Sequence, residues 1–173
     1  MDLEWHVGRA QTILGYSFAD RETLIQALTA SHSTEVEGRK THYENNRRLA
    51  VLADTVLKLV LVQDWLFSER TLGRVIMDTQ SSPADVDPGV LQGHQIRALS
   101  NQALSTIATQ SGINACIIRS ERQQYLPENA PATLYTAIKA VIGATWLDSG
   151  YDQAVVGHVI DTLQIFSPLM QEA

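Results

Sequence analysis

Residues 46–67 read NRRLAVLADTVLKLVLVQDWLF, and this stretch decides the fold. Its apolar side chains recur three and four positions apart, which is the spacing that lines one face of an α-helix. The residues that set the repeat are Leu49, Leu52, Ala53, Val56, Leu57, Val60, Leu61 and Trp65. The pattern predicts one long, largely buried helix at the centre of the molecule.

Shorter helices are predicted on both sides of this central segment. Before it, apolar spacing runs over residues 3–14 until Gly15, and Asp20 is a suitable N-cap for a helix over residues 21–28. The polar residues 31–43 indicate a loop, and the Pro, Gly, Ser and Asp of residues 81–89 indicate a turn. Further helices are expected over residues 69–79, 90–99, 101–111, 134–149 and 153–163. No strand pattern of comparable strength competes, so the predicted fold class is all-α.

Length and composition place the chain among ordinary globular proteins. Its 173 residues suit a single domain over residues 1–173. Apolar residues make up 45% of the chain and charged residues 18%. This composition is sufficient to bury a core and argues against a disordered chain.

The charge balance and the cysteine count narrow the possible functions. Thirteen Lys and Arg stand against nineteen Asp and Glu, and the net charge of −6 has the wrong sign for a protein that neutralises many phosphates. The single cysteine, Cys116, excludes an internal disulfide and a multi-cysteine zinc module. The first residues show no targeting pattern, and polar residues interrupt the apolar stretch 51–66, so no membrane span is expected. These features favour a cytoplasmic protein.

Three segments, taken in order, resemble the ribonuclease III domain. Residues 14–18 and 24–29 are similar to its opening pair of helices, and residues 46–57 are similar to its signature helix. Residues 98–101 and 140–150 look like its last catalytic helix with the Leu-Asp-Ser-Gly ending. The match spans nearly the whole chain. The chain resembles short, stand-alone, fungal-like members of the family whose catalytic site is degenerate, meaning that some of its carboxylates are replaced. This resemblance implies an all-α endonuclease-domain fold that works as a homodimer. Many family members add a double-stranded RNA-binding domain, for which we expect no room in this chain.

The resemblance also implies where the catalytic carboxylates of the family would stand. In the family, four carboxylates per site hold Mg²⁺, a hard cation that prefers oxygen ligands and positions a water against the scissile phosphate. The four positions that match these acids are Ala50, Asp54, Thr136 and Lys139, and Arg47 matches a further glutamate of the family. Only Asp54 keeps a carboxylate, so no metal and no other cofactor is expected at this site.

Lys139 and Asp54 have two possible roles. They could form a purely structural ion pair across two helices, with the ammonium where a metal would sit. Alternatively, Lys139 could be a catalytic proton donor whose pKa is tuned by Asp54, with His32 facing the same pocket as a third catalytic residue. In that case three further side chains would line the substrate-binding side of the pocket. These are Thr136, Arg47 and Ala50.

Three hypotheses for the function follow. The main one is a non-nucleolytic homodimer whose former catalytic valley holds a small organic molecule and catalyses a metal-free isomerisation, cyclisation or dehydration in a biosynthetic pathway. The second is a non-catalytic scaffold or an RNA- or ribosome-associated protein. The third is an active, metal-dependent double-strand ribonuclease. The partners expected under the main hypothesis are a second copy of the chain and a small molecule, with nucleic acid disfavoured and no membrane.

Overall fold

The structure of the protein, a computed structural model, describes residues 2–30, 35–36, 39–40, 46–67, 89, 93, 96–119 and 130–166. The helices in this part of the chain are α1 (Leu3–Leu14), α2 (Arg21–Leu28), α3 (Arg47–Phe67), α4 (Asn101–Ser111), α5 (Pro131–Asp148) and α6 (Gln153–Thr162). A short 3-10 helix follows α4 at Ile113–Cys116. Two strands of two residues each, β1 (Glu35–Val36) and β2 (Arg39–Lys40), pair in the antiparallel direction with Glu35 opposite Lys40.

Short polar side chains and glycines set the ends of the helices. The Asp2 carboxylate accepts a hydrogen bond from the backbone N–H of Glu4 and begins α1, and Gly15 ends that helix with a φ of 62°. Asp20 and Asp152 cap α2 and α6 in the same way as Asp2 caps α1. The predicted boundaries of these three helices are confirmed to within one residue.

The core is built on α3 and α5, whose backbones lie very close together where the two helices cross. Gly143 on α5 faces the backbone of Leu49 on α3, where a Cβ atom added to Gly143 would stand only 2.2 Å from the Leu49 carbonyl oxygen. The lack of a side chain therefore lets the two backbones touch. Most of α5 is apolar and buried, because this helix packs against α2, α3, α4 and α6.

α3 is buried along a narrower face than its sequence indicates. Its side chains in the core are Leu49, Ala53, Val56, Leu57, Val60 and Leu61. Leu52 is only partly buried, and Val51 is exposed. The helix begins at Arg47, one residue later than predicted, and ends at Phe67 as predicted. The side chain of Trp65 lies outside the described residues.

The all-α prediction is confirmed by this arrangement, with two differences of detail. The pair β1 and β2 falls inside residues 31–43, which were expected to form a loop. α5 begins at Pro131, three residues earlier than predicted, because proline is well suited to the first turn of a helix. The predictions for residues 69–79, for the turn and for most of residues 90–99 lie outside the described part of the chain. Within that part, no helix combines the length and the apolar character needed to cross a bilayer.

Candidate functional site

α3 and α5 bring Asp54 and Lys139 together. The ammonium Nζ of Lys139 lies 2.7 Å from Oδ1 of Asp54, so the two side chains form an ion pair between the crossing helices. The Lys139 side chain is only 14% exposed, whereas that of Asp54 is 50% exposed. Nζ also lies 5.6 Å from the centroid of the Tyr135 ring, one turn earlier on α5, which is within the range of a cation–π contact. The ammonium is therefore held by a carboxylate and an aromatic ring.

Thr136 lies beside Lys139 on the same face of α5. The two residues are three positions apart, and helical residues at that spacing are neighbours on the surface. The Thr136 hydroxyl donates a hydrogen bond to the Ala132 carbonyl at 2.6 Å, so its hydrogen is used within its own helix. The oxygen of Thr136 is left as the only group of that side chain that could accept a hydrogen bond from a ligand.

On α3, Arg47 and Lys58 flank Asp54 along one line of the helix surface. The three residues are seven and four positions apart, and all three are exposed. We call this line the charged edge of α3. Ala50 lies beside it, is buried and presents a methyl group. The charged edge therefore carries two cations and one carboxylate, and Lys139 of α5 adds a third cation beside them.

The structure assembles part of the site that the sequence predicted. Of the three residues considered as catalytic, Asp54 and Lys139 are in contact, whereas His32 lies outside the described residues. Thr136, Arg47 and Ala50 lie on the helix faces next to this ion pair.

The chemistry of these side chains does not fit a magnesium site. Mg²⁺ requires several oxygen ligands in near-octahedral geometry. Asp54 supplies the one carboxylate among Arg47, Ala50, Asp54, Thr136 and Lys139, and its Oδ1 already contacts the Lys139 ammonium. Across the described ranges, no three His, Cys, Asp or Glu side chains come close enough together to hold a metal ion.

A second polar centre, which sequence reasoning missed, forms around Asp148 at the end of α5. Its carboxylate accepts hydrogen bonds from the Tyr16 hydroxyl at 2.7 Å, from the Ala19 N–H at 3.0 Å and from the Asp20 N–H at 2.7 Å. It thereby ties the loop between α1 and α2 to the end of α5. In the sequence, only the Leu-Asp-Ser-Gly ending drew attention to Asp148. That motif does not reveal which groups donate hydrogen bonds to its carboxylate.

The contacts of Asp148 change two pKa values. Burial alone would raise the pKa of Asp148, but the three hydrogen bonds to the ionised carboxylate outweigh it and lower that pKa below its ordinary value. Burial, together with the hydrogen bond to Asp148, raises the pKa of Tyr16 to about 12. The phenol of Tyr16 therefore stays protonated and the carboxylate stays ionised at neutral pH.

Next to the charged edge, α3 exposes apolar side chains together with Arg48 and Thr55. Val51 is 70% exposed and Leu59 is 42% exposed, and the partly buried Leu52 and the exposed Thr55 lie between them. We call these four residues the apolar edge of α3. Exposed apolar stripes of this kind are typical of protein interfaces.

Known proteins resemble this chain in sequence. A family model described as Ribonuclease-III-like matches residues 20–162. The protein named Ribonuclease 3 from Pelotomaculum thermopropionicum is 30% identical over 142 residues, which cover 82% of this chain and 53% of that protein. The protein of the same name from Oleidesulfovibrio alaskensis is 29% identical over 160 residues, which cover 92% of this chain and 61% of that protein. The chain thus spans about half to three fifths of the length of these relatives.

Solved structures share the fold. Two structures of the nuclease domain of ribonuclease III from Campylobacter jejuni superpose on this chain with TM-scores of 0.70 and 0.67, at 22% and 23% identity. The first covers 94% of this chain and 99% of the solved chain, and the second covers 96% and 97%. The first of these nuclease domains shows structural flexibility in a region involved in its dimer formation.

These comparisons correct the main functional hypothesis. The relatives carry the name of a ribonuclease, and no finding points to a biosynthetic isomerase, so the hypothesis of a metal-free small-molecule enzyme was wrong. The side chains of Arg47, Ala50, Thr136 and Lys139 around Asp54 do not by themselves identify a reaction. The family resemblance and the all-α fold, in contrast, are both confirmed. With the family model matched over residues 20–162, the chain belongs to the ribonuclease-III-like family.

Proposed function

We propose that this chain is an RNA-associated member of its family, a homodimer that binds double-stranded RNA without cleaving it through a magnesium site between α3 and α5. The relatives named as ribonucleases support RNA as the ligand. The single observation that carries the proposal is the Asp54–Lys139 ion pair, which places a cation at positions that the family resemblance matches with catalytic carboxylates. We further propose that the chain forms one domain and works in the cytoplasm.

The distribution of charge supports binding of phosphates in spite of the net charge of −6. The first half of α3 and the neighbouring turn of α5 carry four cations, Arg47, Arg48, Lys58 and Lys139, against one carboxylate, Asp54. The helices α1, α2 and α6 with their caps, together with the end of α5, carry seven acids and two arginines. These are Asp2, Glu4, Asp20, Glu22, Asp148, Asp152 and Asp161 against Arg9 and Arg21. The positive charge is thus concentrated beside the candidate site, where it would attract a phosphate backbone.

The apolar edge of α3 supports a dimer. Val51 and Leu59 expose apolar surface on the same helix as the charged edge. Pairing of two copies through this apolar edge would bury Val51 and Leu59 and place the two charged edges along a shared valley. A valley lined by cations from both copies suits a duplex, whose phosphates run along two strands.

Salt-dependent binding of RNA tests the proposal. We would measure the affinity for an RNA duplex by fluorescence anisotropy at several salt concentrations, for the wild type and for the double variant Arg47→Gln/Lys58→Gln. We expect the variant to bind about tenfold more weakly and with a smaller dependence on salt, because each lost phosphate contact lowers the salt slope by about one.

Arg9→Gln is the matched control, because Arg9 is exposed on α1, within the acidic part of the chain. We expect this variant to bind RNA as the wild type does. The proposal is wrong if the wild type shows no affinity for the duplex at low salt, or if Arg9→Gln weakens binding as much as the double variant.

A further inference from the structure

We infer that Lys139 is a built-in cation that keeps divalent metal ions out of the site between α3 and α5. This inference deepens the proposed function and rests on it. If the protein binds RNA as proposed, the exclusion of metal ions explains why RNA is held without Mg²⁺. The inference itself concerns only the affinity of the protein for metal ions.

The position of the ammonium carries the inference. Nζ of Lys139 contacts the Asp54 carboxylate at 2.7 Å, and carboxylate oxygens are the ligands that hard divalent ions prefer. The Lys139 side chain is mostly buried, so solvent screens its charge poorly. A divalent ion that approached Asp54 would therefore meet strong repulsion from a cation that is fixed by packing and by the ring of Tyr135.

The other side chains of the site supply too few metal ligands to offset this repulsion. Ala50 has no polar atom, and the hydroxyl hydrogen of Thr136 is donated to the carbonyl of Ala132. A carboxylate and a hydroxyl oxygen fall short of the ligands that Mg²⁺ requires. The electrostatic repulsion that excludes the metal ion should thus come from Lys139. Replacing that one residue should therefore change the affinity of the protein for cations.

Terbium luminescence tests this inference on the protein alone. Tb³⁺ is a hard cation that binds carboxylate oxygens, and it emits when a nearby aromatic ring transfers excitation energy to it. The ring of Tyr135 lies 5.6 Å from Nζ of Lys139, so an ion bound in its place would be close to a sensitiser. We expect weak emission from the wild type, and at least about tenfold tighter Tb³⁺ binding in Lys139→Glu, which removes the repulsion and adds a second carboxylate beside Asp54.

Two further variants keep the test decisive. The variant Asp54→Asn/Lys139→Glu should lose the gained affinity, because the two carboxylates act together. If Lys139→Glu does not fold, as judged by its circular dichroism melt, Lys139→Gln frees the Asp54 carboxylate with a smaller change of shape and should still bind Tb³⁺ a few times more tightly than the wild type.

Arg9→Glu is the matched control, because Arg9 is an exposed cation on α1 and has the same charge as Lys139. The inference is overturned if Arg9→Glu gains as much affinity as Lys139→Glu, or if the wild type already binds Tb³⁺ as tightly as the variant. Either result is independent of RNA, so a failure of RNA binding would refute the proposed function and leave this inference standing.

Discussion

At the scale of single residues, Asp148 shows how much structure one carboxylate can organise. It accepts three hydrogen bonds, from Tyr16 and from the backbone of Ala19 and Asp20, and joins the loop after α1 to the end of α5. Hydrogen bonds to an ionised group are about twice as strong as those between neutral groups. The loop between α1 and α2 therefore depends on the charge of this residue.

We expect Asp148→Asn to lower the free energy of unfolding by about 1–3 kcal/mol, because an amide presents an N–H group to at least one of the three donors. Urea denaturation monitored by circular dichroism measures the change. Asp161→Asn, in an exposed position on α6, is the control and should stay within about 0.5 kcal/mol of the wild type. Equal stability of the two variants would contradict the assigned role.

The lowered pKa of Asp148 gives this contribution a defined pH dependence. A carboxyl group whose pKa is lower in the folded state stabilises the fold above its unfolded value of about 3.9, and the stabilisation is lost as the pH falls through the folded value. The loss of stability on acidification should therefore be smaller in Asp148→Asn than in the wild type. Denaturation curves collected from neutral to acidic pH test this difference.

The raised pKa of Tyr16 predicts the opposite trend at alkaline pH. The neutral phenol stabilises the fold below its ordinary pKa of about 10, and that stabilisation is lost as the pH rises towards the folded value of about 12. Difference absorbance titration of the wild type against Tyr16→Phe should show one phenol that ionises near pH 12. In the Asp148→Asn background, the same phenol should ionise closer to its ordinary pKa.

At the scale of elements, the crossing of α3 and α5 determines the geometry of the site. The spacing of apolar residues predicted both helices, because that spacing is a local property of the chain. It did not predict how closely the helices approach, since the contact of Gly143 with Leu49 joins residues that are far apart in sequence. The same close crossing allows Lys139 to reach Asp54.

We expect Gly143→Ala to destabilise the protein by about 3 kcal/mol or more, because its Cβ would stand 2.2 Å from a backbone oxygen that no rotamer change can move. The melting temperature and the urea midpoint should both fall. Gly157→Ala on α6 is the control, because nothing lies within 4 Å of an added Cβ there. That variant should be stabilised by up to about 1 kcal/mol. A Gly143→Ala protein as stable as the wild type would refute the close crossing.

At the scale of the whole molecule, the sequence was a good guide to the fold and a poor guide to the function. The periodicity and the capping residues predicted the helices, and the matched motif positions predicted that Asp54 and Lys139 could meet. The partners of Asp148 could not be predicted, because they are backbone groups brought together only by tertiary packing. The substrate could not be predicted either, because a methyl group at Ala50 and a hydroxyl group at Thr136 do not specify a reaction.

The proposed dimer predicts that a charge on the apolar edge of α3 separates the two copies. In Val51→Glu, two like charges would face each other across the interface, and we expect at least about tenfold weaker association. Size-exclusion chromatography with light scattering measures the mass. Leu147→Glu, at a similarly exposed apolar position at the end of α5, should leave the dimer intact. A wild type that is monomeric, or a Val51→Glu variant that is still fully dimeric, would contradict this interface.

The measurement that tests the central claim most directly follows binding and cleavage of one end-labelled RNA duplex in the same samples, with Mg²⁺ and with EDTA. Because Lys139 occupies Oδ1 of Asp54, we predict that the duplex is bound in both conditions and remains intact in both. Asp54→Asn identifies any cleavage by a contaminating nuclease, which this substitution would leave unchanged. Cleavage by the wild type that requires Mg²⁺ and disappears in Asp54→Asn would contradict the claim that this site binds RNA without cutting it.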